Sequence, residues 1–375
     1  MTLSAALRTL VATVTLSLLT ACTSSVGGDP ATERPTSGQA TQTTRPASRT
    51  WTAELGDFPE FPHGRLPEKL VASFQELLDQ AVADDTIRGV AAAVIVVGSG
   101  SWSGAAGVDR QGSVLMPDSQ LLTASVGKTM TAAQVLRLVE EGVVPLDVPA
   151  TDYLPPELSS FDANDASIRD LLGMRSGLVD PDGYVELVDQ GYTTADLVEL
   201  IPSPVSPAGS TTQYANINYI LLGEIIEQVT GRPLAKVVRA GVLSHPGLGG
   251  IVYRVKDAMA ADGWNIETDA ATLARWGYDL YGGYVVADAS LREMTDFRGE
   301  SYGLGTLDFS PWDEYDTPGA VGHGGMETSH VVRLVAFPDT GVVVAVQANA
   351  DSFESIHDLV RALKDAARPG GQTAR

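Results

Sequence analysis

Cysteine occurs once in the 375 residues, at Cys22, so the fold has no intrachain disulfide to brace it. The five histidines never stand at metal-ligand spacing, which argues against a metal. Positive charge is scarce: 25 Lys and Arg face 47 Asp and Glu, a formal net charge of −22, or −23 without residues 1–21, whose one charged residue is Arg8. Such a surface repels nucleic acid and anionic lipid headgroups, although the local field of an active site can oppose the global one. Long apolar runs are missing as well, since the stretch Leu10 to Leu19 is too short to span a bilayer. No repeat of fixed period is present, nor a G-x-S-x-G, an H-E-x-x-H or a dinucleotide glycine fingerprint. Gly127-Lys128-Thr129 imitates the end of a phosphate-binding loop, but the position that needs glycine holds Leu122. Nothing calls for a cofactor.

What is present begins with an export signal. Arg8 followed by a short apolar run has the character of a signal peptide over residues 1–21. Leu19-Thr20-Ala21-Cys22 resembles the lipobox of bacterial lipoproteins, and that resemblance implies a lipid on Cys22 and anchoring at the outer face of the bacterial cell membrane. The alternative is an ordinary signal peptide cut at a small-residue site, leaving an incidental thiol; lipid on the protein from purified membranes decides between them. Residues 22–55, rich in Ser, Thr and Pro, read as a flexible tether, 56–368 as one globular domain, and 369–375 as a disordered tail.

Within the domain the pattern is α+β. Leu70, Phe74, Leu77, Leu78 and Val82 recur at helical period behind Pro67, predicting a helix to Ala83. Arg88 to Val97 is a continuous apolar run, and with Ser101 to Val108 it reads as a strand hairpin across Gly98-Ser99-Gly100. His330 to Phe337 and Val342 to Gln347 flank the turn Pro338-Asp339-Thr340-Gly341, and a helix follows from Ser352 to Ala367. The two ends of the domain are therefore expected to build one antiparallel sheet flanked by terminal helices. The mostly helical middle, about 114–296, is expected to form a second lobe with a cleft between.

Three motifs carry chemistry. Ser125-Val126-Gly127-Lys128 opens a helix expected to run to Glu141 and puts the hydroxyl one turn from the amine. A Ser-x-x-Lys arises about once by chance in a chain this long, so its context matters. A serine needs a base, and an amine, ordinarily protonated at neutral pH, serves as one only where burial and hydrogen bonds favour its neutral form. The alternative is Ser125 as a cap and Lys128 as a solvated residue, disfavoured because a cation in the first turn opposes the helix dipole. Tyr214-Ala215-Asn216 stands before a helix over Tyr219 to Val229. Its phenol can share proton transfer and its amide can bind a substrate carbonyl, or both can be packing and capping groups. His323-Gly324-Gly325 precedes a strand, where glycines admit a ligand and a histidine can hydrogen-bond or offset a substrate carboxylate; the alternative is a hairpin turn with an exposed His.

Together with TAAQVLRLVEEGVVPLDVPATDYLP, IRDLLGMRSGL, YANINYILLGEIIEQVTG and the stretch from VGHGG to VAVQAN, these motifs resemble the serine β-lactamase-like family of class C β-lactamases, D-alanyl-D-alanine carboxypeptidases and related esterases, over roughly residues 65–367. The resemblance implies a β-lactamase/transpeptidase-like fold, with Ser125 as acylated nucleophile and Lys128 with Tyr214 as the proton-transfer pair. It further implies Asn216, His323, Gly324 and Gly325 at the substrate, and an oxyanion hole of the Ser125 and Met326 amides. His323 replaces the first Lys of the Lys-Thr-Gly triad, a change that argues against a primary β-lactamase role. Two cleft segments also depart from the pattern: Met174-Arg175-Ser176-Gly177, where Arg175 adds a cation or faces solvent, and Ala261-Asp262-Gly263-Trp264, where the indole narrows the site. The expected activity is that of a surface-anchored serine hydrolase acting on D-Ala cell-wall peptides or related amides. An esterase on small acyl esters and a non-catalytic ligand-binding lipoprotein are the alternatives. The sequence is silent on oligomeric state.

Overall fold

The computed structural model describes residues 54–83, 87–312, 318–327 and 329–368, all within the unit Arg49–Arg375. The expected signal segment, Cys22, nearly all of the tether and the tail at 369–375 lie outside the described residues.

The two ends of the domain pair with each other. Gly89–Val96 runs antiparallel to Gly100–Gly107 on one side and to Val342–Asn349 on the other, with Val94 opposite both Trp102 and Val344. The sheet continues through Val331–Phe337 and Val321–Met326 to a two-residue edge strand, Leu307–Asp308, six strands in all. Side chains alternate across a strand. Val90, Ala92 and Val94 meet Phe74 and Leu78 of the helix Glu68–Ala83 and Ile356 and Leu363 of the helix Glu354–Ala367. Ala91, Ala93 and Ile95 point the other way, into the core shared with the helix Ala270–Tyr281 and its buried Trp276. Burial on both faces is why these strands read as unbroken apolar runs rather than as alternating ones.

Between the strands of the sheet the chain builds a helical region. Its axis is a pair of helices, Lys128–Glu140 and Ile217–Thr230, each buried over most of its length. Shorter helices surround them, two of them opened by reciprocal capping boxes, Ser167 with Asp170 and Thr193 with Asp196. Trp276 donates its indole N–H to Thr129 Oγ1 at 2.8 Å, tying the Lys128–Glu140 helix to the helix on the sheet; a buried hydrogen bond of this kind contributes about 1 kcal/mol.

Two local expectations change. The helix expected from Ser125 starts at Lys128, because Ala124–Gly127 forms a separate 3-10 turn. His323-Gly324-Gly325, expected ahead of a strand, lies inside one, Val321–Met326. Glycines carry no side chain with which to show a strand's alternation, so the pattern gave no sign of it.

Candidate active site

The turn that carries Ser125 is gripped from two sides. Ala124 has φ 44°, a left-handed conformation costly for a residue with a Cβ, and such strain persists only where the surroundings enforce it. On one side a methyl added at Gly263 would come within 2.0 Å of Ala124 O, so the backbone of residue 263 lies directly on the turn. On the other, a methyl at Gly325 would come within 2.7 Å of Ser125 N and 2.8 Å of Ala124 Cβ. The Val321–Met326 strand is thus pressed against the amide of Ser125, with Met326, 46 % exposed, one residue further along.

Lys128 is fully buried, and three oxygens ring its Nζ: Ser125 Oγ at 3.1 Å, Asn216 Oδ1 at 2.8 Å and Asp262 O at 2.7 Å. This arrangement suits a base. Nζ donates to all three oxygens, and once a proton has left it the amine keeps two N–H groups for Asn216 and the Asp262 carbonyl and turns its lone pair to the Ser125 hydroxyl. The Tyr214 ring, 38 % exposed, lies with its centroid 5.2 Å from the same nitrogen and edge-on to Tyr302. Motifs at 125, 128 and 214 therefore converge on one point.

Asn216 is held from behind by a residue that the sequence did not single out. Asp180 accepts from Asn216 N and Asn216 Nδ2, both at 3.0 Å, and from Ile217 N at 2.9 Å. It acts as a distant cap for the Ile217–Thr230 helix, taking amides that have no partner inside the helix. Burial raises the Asp180 pKa, while the backbone donors and the charge of Lys128 oppose that rise. Because Nδ2 already donates to Asp180 and Oδ1 accepts from Lys128, Asn216 orients the lysine and has one N–H left for a substrate.

His323 corrects an expectation. It is 1 % exposed, its Nδ1 lies 2.6 Å from Gly324 O and its Nε2 lies 3.1 Å from Tyr302 Oη. A carbonyl only accepts, so Nδ1 carries the hydrogen and Nε2 takes the Tyr302 proton. Burial, with the charge of Lys128 adding to it, pushes the imidazole down to about 3. It is therefore neutral at working pH and has no charge with which to offset a substrate carboxylate. This carries a stability consequence. The folded pKa lies below the ordinary 6.5, so as pH falls from 6.5 towards 3 the unfolded chain takes up a proton that the folded chain refuses, and stability is lost. Denaturant titrations at pH 7 and pH 4 should show the wild type losing on the order of 3 kcal/mol more than a His323→Gln protein; equal losses would mean a freely titrating imidazole.

Arg175 donates to the carbonyls of Gly209 at 2.6 Å and Ser210 at 3.2 Å, which makes it a tie for that loop. Trp264 N donates to Asp262 Oδ1 at 2.9 Å, and its side chain lines a cavity of about 380 Å³ with Val188, Tyr192 and Met259. The other Asp262 oxygen accepts from Tyr184 Oη at 2.7 Å. Sequence reasoning also missed Tyr302 and Glu327, neither of which belongs to a motif. Glu327, beside Met326, has its pKa raised to about 7 by burial and by the nearby Asp262 and Asp189, with Arg110 opposing. Among the described residues no cluster of His, Cys, Asp and Glu is placed to hold a metal ion.

Comparison with known proteins bears on the family and the fold. The family model described as Beta-lactamase matches residues 74–367. Esterase EstB of Burkholderia gladioli is 33% identical over 202 residues, 48% of this chain and 50% of that protein, so this chain spans about half the length of that curated relative. Among solved structures, a D-stereospecific amidohydrolase from Streptomyces sp. superposes with a TM-score of 0.60 at 25% identity, covering 77% of this chain and 98% of that one. The D-amino acid amidase from Ochrobactrum anthropi SV3 shares the fold, with a TM-score of 0.65 at 22% identity over 80% of this chain and 98% of its own.

Proposed function

We propose, from the premise that this chain belongs to the beta-lactamase family, that it is a serine hydrolase working through an acyl-enzyme on the amide bonds of small D-amino acid or D-peptide substrates, at the outer face of the cell membrane. The observation that carries the reading is the approach of the buried Lys128 Nζ to Ser125 Oγ at 3.1 Å, with its other two directions taken by Asn216 and Asp262.

In this reaction the Ser125 proton passes to Lys128 as Oγ attacks the substrate carbonyl. Negative charge develops on the carbonyl oxygen between the amides of Ser125 and Met326, and the strand's close packing on residue 125 keeps those donors together. The proton then moves from Lys128, by way of the Tyr214 phenol, to the leaving nitrogen as the C–N bond breaks. Water, deprotonated by the same groups, releases the acyl chain and restores Ser125.

The neutral His323 weighs against substrates that must be held by a terminal carboxylate, carboxypeptidase substrates and penicillins among them. A second reading, an esterase on small acyl esters, is favoured by the likeness to EstB and uses the same residues. Acid-quenched mass spectra taken during turnover are expected to show the protein heavier by the acyl group, with the extra mass on the peptide that contains Ser125. A modification elsewhere, or none under any substrate, would remove the acyl-enzyme from the proposal.

A further inference from the structure

We propose that Glu327 selects the acyl group by accepting the ammonium of a substrate with a free α-amino group. This rests on the amide-hydrolase reading above and deepens it. Residues two apart on a strand share a face. In the Val321–Met326 strand, His323 and Gly325 face the nucleophile: the His323 ring centroid is 6.5 Å from that of Tyr214, and Gly325 lies against the Ser125 amide. Glu327 is the next member of that row. Although it stands one residue past the strand, its backbone stays paired, its N–H donating to His330 O at 2.9 Å and its carbonyl accepting from His330 N at 3.0 Å.

The scissile carbonyl oxygen belongs at the Met326 amide. Neighbouring Cα atoms are about 3.8 Å apart, so a side chain at 327, on the face shared with His323 and Gly325, is within reach of the substituent on the carbon next to that carbonyl. In an amino acid amide that substituent is the α-amino group. The surroundings also call for a cation. Glu327 is half-buried with the carboxylates of Asp262 and Asp189 near it and Arg110 opposing them, so a ligand ammonium at this place offsets local negative charge. At the other end of the row the neutral His323 offers a carboxylate nothing. An N-acylated substrate, a penicillin included, brings a neutral amide to Glu327 and forfeits the contact.

The test compares D-alanine amide with N-acetyl-D-alanine amide, and the two corresponding methyl esters, in the purified protein and in Glu327→Gln and Glu327→Lys. The readout is the ratio of kcat/KM, free amine over acetylated, which is internal to each protein and so survives a partial loss of folded enzyme. The wild type is expected to favour the free amine by about ten- to a hundredfold, the worth of a charge-assisted hydrogen bond. The ratio should fall to about one in Glu327→Gln and below one in Glu327→Lys. A ratio unmoved by both substitutions, or a wild type that prefers the acetylated compound, overturns the proposal. Turnover of the esters with neither amide cleaved would remove the amidase reading alone, and the ester ratio would still decide the role of Glu327.

Discussion

The Ser125→Ala protein is expected to fold like the wild type and to lose at least about 10⁴-fold in turnover of any substrate the enzyme accepts. The two halves of that expectation have one source. The Ser125 hydroxyl is bonded to Lys128 Nζ and caps no helix, since Thr123 precedes the turn and the α-helix begins only at Lys128. Removing it leaves Lys128 its bonds to Asn216 and Asp262, so the denaturation midpoint should correspond to a change of no more than about 1 kcal/mol. Catalysis has no such reserve, because no acyl bond can form on alanine. Steady-state assays beside denaturation curves separate the outcomes: activity above about one per cent would rule out Ser125 as nucleophile, and a large stability loss would make it a structural residue.

Asp180→Ala should cost both stability and rate. The carboxylate accepts three hydrogen bonds from Asn216 and Ile217, and truncation leaves those donors without that partner. Unsatisfied buried donors cost about 1–3 kcal/mol each before relaxation, so a loss of roughly 3 kcal/mol is expected. Asn216 would then be free to turn its amide, and the acceptor 2.8 Å from Lys128 Nζ would no longer be fixed. The expected signature is kcat lower by about 10²-fold with KM little changed, because Asp180 acts on the lysine's orientation and touches no substrate. Asp180→Asn, which keeps one acceptor oxygen, should recover part of the stability and less of the rate. A matched drop in activity and folded fraction, with kcat per folded molecule intact, would reduce Asp180 to a helix cap.

How much of this was legible depends on what each residue uses to act. Ser125 and Lys128 act through side chains three positions apart on one turn, so their relation is written locally. The apolar strands at both ends of the domain were equally plain, since burial on both faces leaves an unbroken run. Asp262 offers Lys128 a main-chain carbonyl, which every residue possesses, so no residue type marks it. Asp180 works on a helix start 36 positions away and looks locally like any Asp-Pro turn. The neutrality of His323 follows from its burial beneath Tyr302 and beside Lys128, a property of packing rather than of spacing. Glu327 follows a glycine-rich strand whose direction only the ladder with Val331–Phe337 reveals.

Of the two glycines that clasp the nucleophile turn, Gly263 meets it backbone to backbone, and Gly325 meets two of its backbone atoms and the Ala124 methyl, so neither contact uses a long side chain. The loops that bear Arg175, Trp264 and Glu327 can therefore diverge without dislodging Ser125. A lineage built this way keeps its chemistry while its diet drifts, and paralogues can change substrate by steps that each leave a working enzyme.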